Sequence, residues 1–225
     1  GQLFFNSTAN AFKETITDIP SGAWASSGNL NQARNILDAQ NGTQSSSKAS
    51  GGSPPGTAGL ANVEDYDGSS WSETTEMNTP RYSAAAAGAS NTSALVFSGY
   101  NNSSPLASPG GYLSATESWN GSAWTEVNDL NIKMSNRSGN GIQTSALCYG
   151  GYESPYALTE SWDGTNWTEV SDLNTGRMDL GGIGDSNTSA LAFGGLVAPN
   201  TKSDKTESWD GTSWTEVNDL NTNRA

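Results

Sequence analysis

Apolar positions along this chain fall in short groups closed by small or polar residues, as in SALVF (Ser93–Phe97), SALCY (Ser145–Tyr149) and SALAF (Ser189–Phe193). Each group has the length of a strand, and a glycine follows within two residues. A second kind of group is an aromatic hairpin. TESWNGSAWTEVNDL (from Thr116), TESWDGTNWTEVSDL (from Thr159) and TESWDGTSWTEVNDL (from Thr206) are three near-copies of it. VEDYDGSSWSETTEMNTPR, from Val63, is a looser fourth with Tyr66 in place of the first tryptophan, and GAWASSGNLNQAR, from Gly22, keeps the second half of a fifth. Asp67-Gly68, Asn120-Gly121, Asp163-Gly164 and Asp210-Gly211 supply tight-turn chemistry in the middle of each hairpin. A register that pairs Trp119 with Trp124 sets two large rings on one face.

The second tryptophan recurs at Trp24, Trp71, Trp124, Trp167 and Trp214, a period of roughly 40–50 residues, as in propeller blades. After it the copies run to Leu-Asn or Met-Asn and then to an arginine, as at Arg34, Arg81, Arg177 and Arg224. A small-residue strand follows (Ala84 to Ala87, Gly181-Gly182), then the apolar strand, a variable loop and the next hairpin. That order predicts four short antiparallel strands per repeat, with the small residues on the crowded inner side.

Composition agrees with this pattern. Only 33% of the 225 residues are apolar, too few for long amphipathic helices, while eight tryptophans argue against disorder. The net charge of −13, from 10 Lys+Arg against 23 Asp+Glu, disfavours nucleic acid and anionic membranes as partners. No apolar run is long enough to span a bilayer.

With these residues in view, the chain resembles the kelch motif: Gly-Gly closing the second strand (Gly51-Gly52, Gly150-Gly151, Gly194-Gly195), an aromatic in the third, a tryptophan opening the fourth, then an N-T-x-R step. It is most similar to the kelch-like repeats of marine bacteriophage tail and fibre proteins, and the opening GQLFFNSTANAF is similar to the hairpin that leads into such repeats. The resemblance implies an all-β, kelch-like β-propeller of four-stranded antiparallel blades. Residues 1–19 would be a lead-in hairpin and 20–225 the propeller, with blades at about 31–76, 77–129, 130–172 and 173–220 behind an N-terminal partial blade. The chain stops at Asn223-Arg224-Ala225, where a new inner strand is expected. Either further residues complete the ring, or four blades close a small one with the lead-in strand as a clasp. Two departures stand out: Ser98-Gly99 replaces Gly-Gly, and the third repeat reads NIKMSNR, with Met134 near the arginine position and Arg137 out of phase.

Candidate chemistry is sparse. The chain has no histidine, which removes the commonest general base and the usual zinc or copper ligand; the copper site of kelch-like galactose oxidases is unavailable. One cysteine, Cys148, supports neither a disulfide framework nor a thiolate cluster and reads as a small buried hydrophobe. SWDGTNW resembles the Asp-box turn of sialidase propellers but is one residue short. An acidic residue that recurs in every repeat is more readily structural than catalytic. No enzyme activity, cofactor or metal is expected.

The Trp119–Trp124 register sets Glu117 opposite Glu126, and likewise Glu64 opposite Glu73, Glu160 opposite Glu169 and Glu207 opposite Glu216. Like charges directly opposite destabilise a hairpin. The expectation is that an arginine after the fourth strand (Arg81, Arg177, Arg224) reaches back to these carboxylates and ties neighbouring blades. Splayed, solvated glutamates and a bound divalent cation are the alternatives.

Variable loops on a repetitive scaffold are where recognition commonly lives. Tyr100, Tyr112, Tyr152 and Tyr156 lie on or beside them, and tyrosine combines a stacking face with a hydroxyl. Capping of the blade edge is the alternative role. The resemblance implies a non-enzymatic virion protein, on the particle and outside the cell. Its implied partners are other virion proteins, copies of itself and host-surface glycans. A structural spacer and a carbohydrate-active enzyme are the other readings.

Overall fold

The computed structural model describes residues 27–35, 41–54, 58–101, 110–152, 154 and 156–225 in full, and the backbone of Leu3–Asn6, Ala11–Glu14 and Gln40. Trp24 lies outside the described residues. Among those described, every regular element is a β-strand. Strand β1 (Leu3–Asn6) pairs with β2 (Ala11–Glu14) where the lead-in hairpin is expected.

Four four-stranded antiparallel sheets follow. The first holds β3 (Gln40–Thr43), β4 (Ser46–Ser50), β5 (Val63–Tyr66) and β6 (Trp71–Thr74). The second holds β7 (Ala85–Ser90), β8 (Ser93–Phe97), β9 (Thr116–Trp119) and β10 (Trp124–Val127). The third holds β11 (Ser138–Ile142), β12 (Ser145–Tyr149), β13 (Thr159–Trp162) and β14 (Trp167–Glu169). The fourth starts with β15 (Gly181–Ser186) and β16 (Ser189–Phe193), is interrupted by a small hairpin of β17 (Leu196–Val197) and β18 (Thr201–Lys202), and ends with β19 (Thr206–Trp209) and β20 (Trp214–Glu216). The first strands β3, β7, β11 and β15 lie beside one another in turn. The sheets are thus set in a propeller-like arrangement, without a closed ring among the described residues.

The small residues of these first strands have a packing cause. A side chain at Gly181 would strike the Phe193 ring, and one at Gly182 the Tyr149 hydroxyl. The core lies between sheets. Val63 and Met77 pack with Ala84, Ala86, Trp119 and Trp124 at the first junction. Leu95 and Phe97 pack with Cys148, Trp162 and Trp167 at the second. Leu147 and Tyr149 pack with Trp209 and Trp214 at the third.

The hairpin register is the one the sequence predicts: Trp119 faces Trp124, Trp162 faces Trp167 and Trp209 faces Trp214. Their ring centroids are 5.3, 5.3 and 5.4 Å apart, and the Tyr66–Trp71 pair is at 5.1 Å. The two tryptophans of a pair have different partners. The first donates its indole N–H inside its own sheet, from Trp119 to the Asn91 carbonyl, Trp162 to Gln143 and Trp209 to Asn187, at 2.9–3.0 Å. The second reaches the preceding sheet, from Trp124 to the Thr75 carbonyl (3.0 Å), Trp167 to the Thr116 hydroxyl (3.0 Å) and Trp214 to the Thr159 hydroxyl (3.2 Å). Trp124, Trp167 and Trp214 are therefore wedges whose polar edges are satisfied across the junction.

The glutamate pairs also fall in the expected register, and burial separates their members. Glu64, Glu117 and Glu160 are fully buried and Glu207 nearly so, while Glu73, Glu126, Glu169 and Glu216 are exposed. Each buried carboxylate meets an arginine: Glu64 with Arg34, Glu117 with Arg81 at 2.7 Å, Glu160 with Arg137 at 2.9 Å and Glu207 with Arg177 at 2.8 Å. Backbone N–H groups of the N-T-x-R step complete the shell, with Asn78 at 2.7 Å and Thr79 at 3.0 Å on Glu117, and Asn174 at 2.7 Å and Thr175 at 3.2 Å on Glu207. Burial pushes the Glu64 carboxyl up, but the N–H groups of Asn31 and Gln32 and the Arg34 guanidinium outweigh it and hold it below the ordinary value.

The tie runs forward along the chain, not back as expected. The Arg81 backbone is held by the first sheet: its N–H donates to Leu60, and its carbonyl accepts from Gly52, both at 3.0 Å. Its guanidinium crosses to Glu117 and to the carbonyls of Ser98 and Ala115 in the second sheet. Arg177 joins the third sheet to the fourth in the same way, and Arg224 takes the same backbone place against Ser203 and Gly195. In the third sheet the out-of-phase Arg137, at the entry to β11, bonds Glu160 and the Leu158 carbonyl from within the same sheet, while Met134 fills the backbone slot against Leu113 and Gly99 of the second repeat and lays its side chain against Gly151.

Candidate binding site

The glycine step that ends each second strand turns the chain with positive φ, 66° at Ser98 and 110° at Gly99, and aims the next residue at one face. There the backbone of that residue bonds to the residue that follows the arginine slot of the same repeat. The four pairs are Asn35–Ser53, Tyr82–Tyr100, Ser135–Tyr152 and Met178–Leu196, with N–H···O distances of 2.9, 3.1, 3.0 and 3.0 Å. The same backbone bridge thus presents different side chains from each repeat.

Around the second sheet these side chains become an aromatic chain. Tyr100 bridges to Tyr82 on one side and Tyr112 on the other, with ring centroids at 5.2 and 5.3 Å. With Tyr152 they line a cavity of about 570 Å³ that also holds Ser135, Asn136, Asp179 and Asn200. Burial, and then the neighbouring Tyr100, raise the Tyr82 hydroxyl above its ordinary value, so it stays protonated as a donor at neutral pH. Tyr152 is 48% exposed and forms the open wall.

The rim is built from Ser83, Asn136 and Asp179, which hold equivalent places in three repeats and are all left-handed, at φ 50°, 56° and 50°. A hydrogen-bond chain joins them: Asn136 N–H to the Ser83 carbonyl (3.1 Å), Asp179 N–H to the Asn136 carbonyl (3.3 Å) and Asn136 Nδ2 to Asp179 Oδ1 (2.6 Å). Non-glycine residues in this region are costly and persist where surrounding structure fixes them. A larger space of about 910 Å³, beside β7, β11 and β15, shares this rim and is lined further on by Lys202.

Three of the four tyrosines singled out in the sequence meet here. Tyr156 does not line this cavity: it is half-buried, and its carbonyl accepts from Arg177 N–H at 3.0 Å. Tyr82 belongs to the cavity and was not singled out. The signal for it is that the position after the arginine slot reads Asn35, Tyr82, Ser135 and Met178, varied among constant neighbours. Cys148 is buried in the core between the second and third sheets, its thiol pushed up to about 12 by burial, so it is not a nucleophile. Among the described residues no three His, Cys, Asp or Glu side chains gather to hold a metal ion. The arrangement offers stacking faces, neutral amides and hydroxyls and one carboxylate, which suits binding a polar ligand.

No protein-family model matches the chain, and no curated protein matches it.

Proposed function

We propose that this chain is a non-enzymatic recognition module of a phage virion, a kelch-like propeller whose tyrosine-lined face binds a glycan on the host surface. Its four-stranded sheets are the blades of 31–76, 77–129, 130–172 and 173–220, preceded by a partial blade. The virion context, with other virion proteins and further copies as neighbours, rests on the wording of the repeats. The binding role rests on the cavity where Tyr82, Tyr100, Tyr112 and Tyr152 converge. A sugar ring carries apolar C–H faces and a girdle of hydroxyls, which matches tyrosine faces set among amides and hydroxyls.

The test is binding of the fluorescently labelled chain to intact marine bacteria, with and without competing sugars. Saturable binding that one sugar class removes is the expected result. A folded chain that binds none of the bacteria and none of the sugars overturns the reading and leaves a structural part of the particle.

A further inference from the structure

Taking the tyrosine cavity as a sugar site, we infer that its ligand is an uncharged hexose-type glycan, selected against uronic acids, sialic acids and sulfated sugars. Recognition of an anionic sugar calls for Arg or Lys at the site, with guanidinium forks matched to carboxylate or sulfate. The described lining of the tyrosine cavity contains neither. Of the two cations lining the larger space beyond the rim, Arg137 is already committed to Glu160 and to backbone carbonyls, and Lys202 lines that space but not the tyrosine cavity.

The charge that does face the cavity is Asp179, exposed at the rim. Its Oδ1 accepts from Asn136 Nδ2, and its Oδ2 has no hydrogen-bond partner among the described residues. A free carboxylate oxygen accepts hydrogen bonds from hydroxyls and repels a second carboxylate in the same small space. The chain as a whole carries −13, so an anionic glycan is also opposed at longer range. The remaining polar groups are neutral: the Ser135 hydroxyl donates to Asn136 Oδ1 at 2.7 Å, and the exposed Asn200 amide is a donor and acceptor for sugar hydroxyls.

The rim is also fixed before a ligand arrives. Ser83, Asn136 and Asp179 share one unusual backbone conformation and one hydrogen-bond chain across three repeats. The charge that discriminates is therefore held in place, which raises selectivity at little ordering cost.

The experiment is calorimetric titration of the full chain with matched pairs: galactose against galacturonate, and glucose against glucuronate, with oligosaccharides of each as stronger probes. Each pair differs only by a carboxylate at C6. The neutral member is expected to bind at least about tenfold tighter, with an affinity that changes little between about 0.05 M and about 0.5 M salt, while screening narrows the gap. Asp179→Asn keeps a residue that tolerates the left-handed backbone, as Asn136 does at the equivalent place, and is expected to narrow the gap further. A uronate that binds as tightly as its neutral partner overturns the selectivity but leaves a sugar site. Failure of every sugar, neutral and acidic, to bind the folded chain overturns the sugar site itself.

Discussion

The sheet junctions and the tyrosine face are built on the same repeat but use it in opposite ways. Beside the junctions, four copies hold a buried glutamate with an arginine and a backbone N–H of the linking step, the third copy using Arg137 from three residues further on. On the face, four copies of one backbone bridge carry Asn35–Ser53, Tyr82–Tyr100, Ser135–Tyr152 and Met178–Leu196. Around the buried glutamates the repeat keeps its chemistry; where it meets solvent it keeps only its backbone. Stability and recognition are therefore expected to be separable by substitution.

The largest effects should come from breaking a tie. Glu117→Ala leaves the Arg81 guanidinium buried without its carboxylate, an expected cost of about 3–5 kcal/mol in denaturant unfolding. Arg137→Leu should cost about as much by stranding Glu160. Adding Met134→Arg makes the third repeat match the fourth, which has Arg177 and Leu180 at these places, and should restore most of the loss. No recovery would show that Arg137 is held by something other than the tie.

A smaller effect of opposite sign is expected at the first junction. Lys48 stands where the other sheets have Leu95, Leu147 and Leu191. It is buried, paired to Asp65 at 2.5 Å, with its ammonium 4.3 Å from the centroid of the Trp119 ring. At the next junction the equivalent Leu95 packs in one core with Trp162. Burial lowers the Lys48 amine, against the pull of Asp65. Replacing a buried pair by fitted apolar residues is commonly neutral or stabilising by about 1–4 kcal/mol. Lys48→Leu with Asp65→Ser, which copies the second sheet's Leu95 and Ser118, should raise the unfolding midpoint or leave it unchanged.

The hairpin turns supply the smallest effect. The Asp67 carboxyl is held down to about 2, first by the N–H of Ser70 and then by the hydroxyl and N–H of Ser69. Backbone N–H groups also lower Asp163 and Asp210. A depressed carboxyl stabilises the fold above its unfolded value and loses that contribution as pH falls, here between about 4 and about 2 for Asp67. Asn120 makes the same turn bonds without a titrating group. Replacing Asp67 with Asn should therefore flatten the acid limb of the stability curve, as followed by tryptophan fluorescence.

Much of this was legible in the sequence, for physical reasons. The hairpin register followed from the tryptophan pair, and the glutamate clash it created pointed to a cation, which the structure supplies as arginine. The direction of the tie was not legible, because it depends on which sheet holds the arginine backbone. Nor was the role of Arg137, whose side chain enters three residues late yet reaches the same carboxylate. Of the candidate site, Tyr100, Tyr112 and Tyr152 were found as loop aromatics. Tyr82 was hidden beside a structural arginine, and Tyr156 sits in a variable loop but turns into the linking step. Which loop residues share one cavity depends on how the sheets fan out, and strand periodicity does not carry that.

The most direct test of the division of labour is Tyr152→Ala, measured for both unfolding free energy and affinity for the neutral hexose. Tyr152 is half exposed and lines the cavity. Its unfolding free energy should stay within about 0.5 kcal/mol of the parent, while affinity falls several-fold to about tenfold through the loss of an aromatic contact worth about 0.5–1.5 kcal/mol. Undiminished binding, or a loss of binding matched by a loss of stability, would contradict the account.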